Sequence, residues 1–162
     1  MGDLFGNFIP DEWIEKVLKR VWRNQQWIFV FLTKNPKRLI NIEWPGNAWV
    51  GATVDIQSRV EETEEAFKQV KAPIKFISCE PLEEKVVFSD LKIFNWLIIG
   101  GRNETRKMPG KQPKWEWVQS LLGQAKEANV KVFCRANLLV GSKEEKPREY
   151  PIEIQSPKIL TF

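Results

Sequence analysis

The stretch WIFVFLTK, Trp27 to Lys34, decides the fold: apolar residues run unbroken from Trp27 to Leu32 and stop at a threonine and a lysine. A strand wetted on one side alternates apolar and polar residues. A strand of a parallel sheet is covered on both sides and reads as a continuous run rich in β-branched and aromatic residues. Four more runs of this kind follow, AWVGATV at 48–54, IKFISC at 74–79, WLII at 96–99 and VKVFC at 130–134. Between them lie helical patterns. Residues 11–24 start on Pro10 and Asp11 and repeat Trp13, Val17, Leu18 and Val21 at helical spacing. A short helix is predicted at 36–40, an amphipathic one at 56–70 with Val60, Ala66, Phe67 and Val70 inward, and one at 114–128 with Trp117, Leu121, Leu122 and Ala125 on one side. The segment up to Phe94 reads as loop with one short helix near Ser89 and Asp90, residues 141–149 as a charged loop, and 150–162 as a proline-punctuated tail laid extended on the body.

Five apolar strands separated by helices or long crossovers predict an α/β domain over residues 1–162, with a parallel β-sheet and flanking helices. Two architectures satisfy the pattern, an open doubly wound sheet and an arc of a barrel. In either, ligands bind outside the carboxyl ends of the strands.

Composition narrows the chemistry. The chain of 162 residues has no histidine, which excludes Ser-His-Asp and Cys-His catalysis and every His-ligated metal site. Its two cysteines, Cys79 and Cys134, make neither a disulfide framework nor a C-x-x-C metal site, so no metal is expected and a reducing cytoplasm fits best. No apolar run is long enough to span a bilayer, and residues 1–10 do not read as a signal peptide, so no membrane partner is expected. The 25 basic residues against 21 acidic ones give a net charge of +4, spread along the chain and not gathered in one segment.

Each strand run ends in polar residues: Lys34 after the first, Thr53 and Asp55 after the second, Glu80 after the third, Gly100 and Gly101 after the fourth, Arg135 and Asn137 after the fifth. These are the candidate ligand-binding residues. Thr33 and Asp55 would serve equally as helix caps, and Arg135 as a solvated loop residue. Glu80 carries more weight, because a carboxylate held between a buried strand and Pro81 needs a partner or a ligand. Gly100 and Gly101 allow close backbone approach or a tight turn, without a dinucleotide fingerprint. Both cysteines read as small buried hydrophobes. Trp13, Trp27, Trp49, Trp96 and Trp117 fall on apolar faces, whereas Trp44 and Trp115 are expected at the surface, where they could stack on a base.

Several segments in order carry a resemblance. They are Asp3-Leu4-Phe5, Ile9-Pro10-Asp11, FLTKNPKR from Phe31, WVGATV from Trp49, FISCEPL from Phe76, WLIIGG from Trp96 and PREYP from Pro147. Over residues 2–151 the chain resembles a phage- and bacteria-encoded family of unknown function, described as phage-related and similar to radical S-adenosylmethionine (SAM) enzymes. The resemblance implies a TIM-type partial barrel. For full-length members it implies S-adenosylmethionine and a [4Fe–4S] cluster held by a cysteine motif upstream of this region. This sequence lacks that motif, so the chain is expected to be the C-terminal half of such an enzyme, without a cofactor and not catalytically competent alone. A missing N-terminal half is then an implied partner. On this view Lys34, Glu80 and Arg135 are polar contacts, and Gly100 and Gly101 give backbone access. The chain departs from its relatives at Arg102-Asn103-Glu104, where an acidic residue is usual after the two glycines, and at Arg135, where lysine is common. The alternative is a non-catalytic nucleic-acid-binding module. Finally, the first strand lacks the charge or proline that blunts a sheet edge, so self-association, or cover by the 11–24 helix or the 150–162 tail, is expected.

Overall fold

A computed structural model describes residues 2–106, 108–151 and 159–161. The predicted strands appear as β1 (Ile28–Thr33), β2 (Ala48–Thr53), β3 (Ile74–Cys79), β4 (Trp96–Ile99) and β5 (Lys131–Cys134). The tail adds β6 (Ile159–Thr161), and the sheet order is β5-β4-β3-β2-β1-β6. Every neighbouring pair is parallel. The helices are α1 (Asp11–Arg23), α2 (Val60–Gln69) and α3 (Trp115–Ala128), with 3-10 turns at Pro36–Leu39, Gln57–Arg59 and Leu91–Ile93. The helix predicted from residue 56 thus opens as a 3-10 turn and becomes α-helical at Val60.

Strand order settles the choice of architecture. A doubly wound sheet reverses direction at a switch point and carries helices on both faces. Here β1 to β5 follow one another in space as in sequence, so right-handed crossovers all fall on one face. The core agrees. Ile14 and Val21 of α1, Val60 and Phe67 of α2, and Val118, Leu121 and Ala125 of α3 pack with Phe29, Phe31, Val50, Ile77, Cys79, Leu97, Ile99, Val132 and Cys134. The opposite face buries a separate cluster of Val30, Trp49, Phe76 and Trp96, with Ile28, Ile74, Ile98 and Phe133 around it and no helical residue. The sheet is not closed, and one helix-free face makes it an arc of a barrel.

Local chemistry fixes the pieces. Asp11 and Glu12 open α1 and Arg20 and Arg23 close it, matching the helix dipole. The Arg38 guanidinium donates to Gly6 O, Ile9 O and Asp11 Oδ1, tying the N-terminal segment to the turn after β1. Buried Glu64 on α2 accepts from Ser89 N and Asp90 N, both at 2.8 Å, which satisfies the loop before β4.

The tail covers the edge as expected. Tyr150 packs on Trp96 and Phe133 with ring centroids 5.7 and 5.3 Å away, and Trp96 Nε1 donates to Glu149 O at 2.8 Å. β6 then pairs beside β1, Ile28 opposite Ile159. The rest of the expected tail, 152–158 and 162, lies outside the described residues. Two tryptophan expectations are corrected. Trp44 is buried, because it fills the space between Phe5 and Phe31 and donates Nε1 to Leu39 O at 3.3 Å. Trp13 is 52% exposed, because Ile14 and Val21 form the inward seam of α1. Trp115 is half-buried, its ring lying where a side chain at Gly141 would stand. Among the described residues no helix is long and apolar enough to cross a membrane.

Candidate functional site at the strand ends

Side chains alternate along a strand, so residues two apart share a face. On the helix-free face the columns run Ile28, Val30, Leu32; then Trp49, Gly51, Thr53; then Ile74, Phe76, Ser78; then Trp96, Ile98. Two residues beyond each column stand Lys34, Asp55, Glu80 and Gly100, and β5 continues from Phe133 to Arg135. The face is therefore apolar below and polar at its carboxyl rim. Thr53 and Ser78 sit opposite one another in register, both buried, at the boundary.

Two linked clusters form on the rim. In the first, Lys34 Nζ donates to Asp55 Oδ2 at 2.8 Å. Asp55 Oδ1 lies 3.1 Å from Arg59 Nε, an ion pair by distance without hydrogen-bond alignment. Asp3 joins from the N-terminal segment, accepting from Thr33 Oγ1 at 2.7 Å and from Lys34 N at 2.9 Å. Thr33 in turn accepts from Asn35 N at 2.9 Å, so its role is local capping. In the second, Glu80 accepts from Asn137 Nδ2 at 2.8 Å and faces Arg135 Nε at 3.4 Å. The carboxylate before Pro81, whose peptide bond is cis, is thus paired across the rim. Asn137 Nδ2 also donates to Gly101 O at 2.9 Å, while its buried Oδ1 has no hydrogen-bond partner. The clusters meet through Glu83 N, which donates to Asp55 O at 3.0 Å.

All eight candidate residues lie on this rim, but the glycines do so for a reason the sequence does not show. A Cβ on Gly100 would stand 2.9 Å from both Asn137 Oδ1 and Glu80 Cγ, and one on Gly101 would stand 2.6 Å from Gln112 Nε2. Their missing side chains make room for the chain's own Glu80, Asn137 and Gln112. Sequence reasoning missed Asp3 and Arg59 as rim members. It also missed Glu83, which pairs with Arg102 at 2.9 Å and Lys111 at 2.5 Å. Arg102, one of the departures from the resemblance, is thereby an internal ion-pair partner.

Lys34 and Arg135 keep 54% and 55% of their side chains exposed, so a ligand can reach both cations while Asp55 and Glu80 hold them in place. The thiols are elsewhere. Cys79 and Cys134 belong to the helix-side core. Burial pushes the Cys79 thiol far above its ordinary range, and pushes that of Cys134 up to about 11, with Lys146 opposing weakly. An iron–sulfur cluster held by this chain does not fit: it needs three or four thiolates, and the chain has two buried, protonated thiols. Among the described residues no group of three His, Cys, Asp or Glu side chains could hold a metal ion.

The fold and rim define a partial-barrel α/β protein with a polar, ion-paired rim at the carboxyl ends of its strands. The chain belongs to the family described as protein of unknown function (DUF5131), whose model matches residues 1–143. No curated protein and no solved structure matches it.

Proposed function

We propose that this chain is the ligand-binding part of a radical-SAM-like enzyme of phage-related type, and that it does not catalyse a reaction alone. The observation that supports the reading is the rim. A singly wound parallel arc brings Lys34, Asp55, Glu80, Arg135 and Asn137 to one edge, cations beside carboxylates, with a buried unpartnered acceptor at Asn137 Oδ1. An amino-acid zwitterion such as the methionyl end of S-adenosylmethionine needs this donor set. Arg135 would take its carboxylate and Glu80 its ammonium, with Lys34 and Asp55 lining the far part of the rim. When bound, that group supplies a reactive sulfonium. This chain's residues bind and orient it, and the cluster that would reduce it has no ligands here.

Titration calorimetry with S-adenosylmethionine tests the reading. Saturable binding is expected, weakened about tenfold or more in Glu80→Ala, which loses a charge-assisted contact. Wild-type affinity in that variant, or no binding by the folded chain, would contradict it. Anaerobic reconstitution of the isolated chain should leave it without stoichiometric iron.

A further inference from the structure

Residues 141–149, GSKEEKPRE, read as a charged loop, yet the fold pins them. Gly141 has φ 75° with the Trp115 ring in place of its side chain. Cys134 N donates to Pro147 O at 2.8 Å, Arg148 bridges Phe133 as an antiparallel pair, and Lys146 Nζ donates to Leu138 O at 3.2 Å. This folding back borders an open cavity of about 380 Å³ beside the end of β5. Arg135, Lys143, Lys146 and Arg148 line it, and no acidic side chain does. Of the loop's carboxylates, Glu145 accepts from Ser142 N at 3.0 Å and also attracts Lys146, and Glu149 pairs with Lys131 at 3.3 Å. Arg135 is shared with Glu80. Lys143 and Arg148 make no ion pair among the described residues, and the Arg148 guanidinium lies 5.0 Å over the Phe133 ring. A second cavity of about 300 Å³ shares Arg135, Ala136 and Arg148, and adds Asn103, Phe133 and Asn137.

Four cations line one concavity, and Glu80 and Glu145 partly offset only Arg135 and Lys146, so an anion seated among them relieves the remaining repulsion. From this convergence we infer that the cavity binds the phosphoryl end of a small phosphorylated molecule, with the adjoining cavity taking the organic part. Arg135 and Arg148 supply forked donors suited to phosphate oxygens, and Lys143 and Lys146 supply point charges. A nucleic-acid backbone would instead call for cations in a stripe along a face. The adjoining cavity suits the rest of such a ligand, with the Phe133 ring as an apolar wall and Asn103 and Asn137 as polar lining. The inference does not rest on the S-adenosylmethionine reading, and its test leaves Lys34, Asp55 and Glu80 untouched.

Pyrophosphate and ADP are titrated into the full chain at low ionic strength and followed by calorimetry. Saturable one-to-one binding is expected, weakened about tenfold in Lys143→Ala and in Arg148→Ala, each of which removes one charge-assisted contact. Lys71→Ala, on the turn before β3, should bind like the wild type. Lys143 is exposed at the cavity's outer side and makes no ring contact among the described residues, so its variant stays folded even if Arg148→Ala loosens the Phe133 contact. Absence of saturable binding, or equal affinity in Lys143→Ala, would overturn the inference. So would tight binding of a 20-nucleotide single strand that pyrophosphate fails to displace, which would assign the cations to a polyanion.

Discussion

Gly51→Ala should destabilise the chain although alanine is ordinarily the better strand residue. Gly51 lies mid-β2 on the helix-free face, in register with Phe76. A Cβ built there would sit 2.5 Å from two carbons of the Phe76 ring and 2.6 Å from a third. That ring cannot withdraw freely. It is 1% exposed and packs at 5.8 Å against Trp96, which packs at 5.7 Å against Trp49. Overpacking of this kind costs about 1–3 kcal/mol. Replacing glycine within a strand returns about 0.5–1 kcal/mol. The two ranges leave a loss of about 0–2.5 kcal/mol, and the boxed-in ring puts it toward the upper end, a fall in Tm of up to about 10 °C for a domain of this size. Urea titration and thermal melting followed by near-ultraviolet circular dichroism measure it. Phe76→Leu in the Gly51→Ala background should recover part of the loss, because the two sites share one volume. A Gly51→Ala chain as stable as wild type or more so, or strictly additive effects of the two substitutions, would refute the packing of that face.

Asp55→Ala should cost about 1–2 kcal/mol, because it breaks pairs with Lys34 and Arg59 whose cations can rehydrate at the surface; urea unfolding measures it, and Lys34→Ala in the same background should add little. Cys134 has a folded thiol pKa raised from an ordinary 9.0 to about 11. The folded state therefore binds the proton more tightly than the unfolded one, and this contribution is fully present below about pH 9 and lost as pH rises through about 11. Stability should fall over that window, and iodoacetamide at pH 8 should label Cys134 at least ~100-fold faster in urea than in the native chain, since about one native thiol in a thousand is then ionised. Deleting residues 150–162 removes Tyr150 from Trp96 and Phe133 and leaves β1 unpaired on its outer side. Sedimentation should then show concentration-dependent association, and a truncated chain that stays monomeric would contradict the edge argument.

The strands were legible because parallel strands are apolar on both sides, and β1 to β5 fall within a residue or two of their runs. Arc or doubly wound sheet was not legible, since strand order is a tertiary fact with no local signature. Glu80 was legible as a residue needing a partner because Pro81 restricts it, but its partner Asn137 lies 57 residues away and has no signal of its own. Asp3 and Glu83 stayed hidden for the same reason: their partners stand 19 to 31 residues off in sequence. Trp44 was misplaced because it lies outside any periodic run. Its burial comes from Phe5 and Phe31, which belong to two other segments. The sequence allows Gly100 close backbone approach to a ligand or a tight turn, whereas Glu80 and Asn137 occupy the room it leaves.

Backbone amide chemical shifts recorded during titration with S-adenosylmethionine test the central claim, that the carboxyl rim of this arc is a binding site. The account predicts saturable shifts at Lys34, Asp55, Glu80, Gly100, Gly101 and Asn137, with α2 and the amino ends of the strands unmoved. Shifts confined to the helix-covered side of the sheet, or none at millimolar ligand in a folded chain, would contradict it.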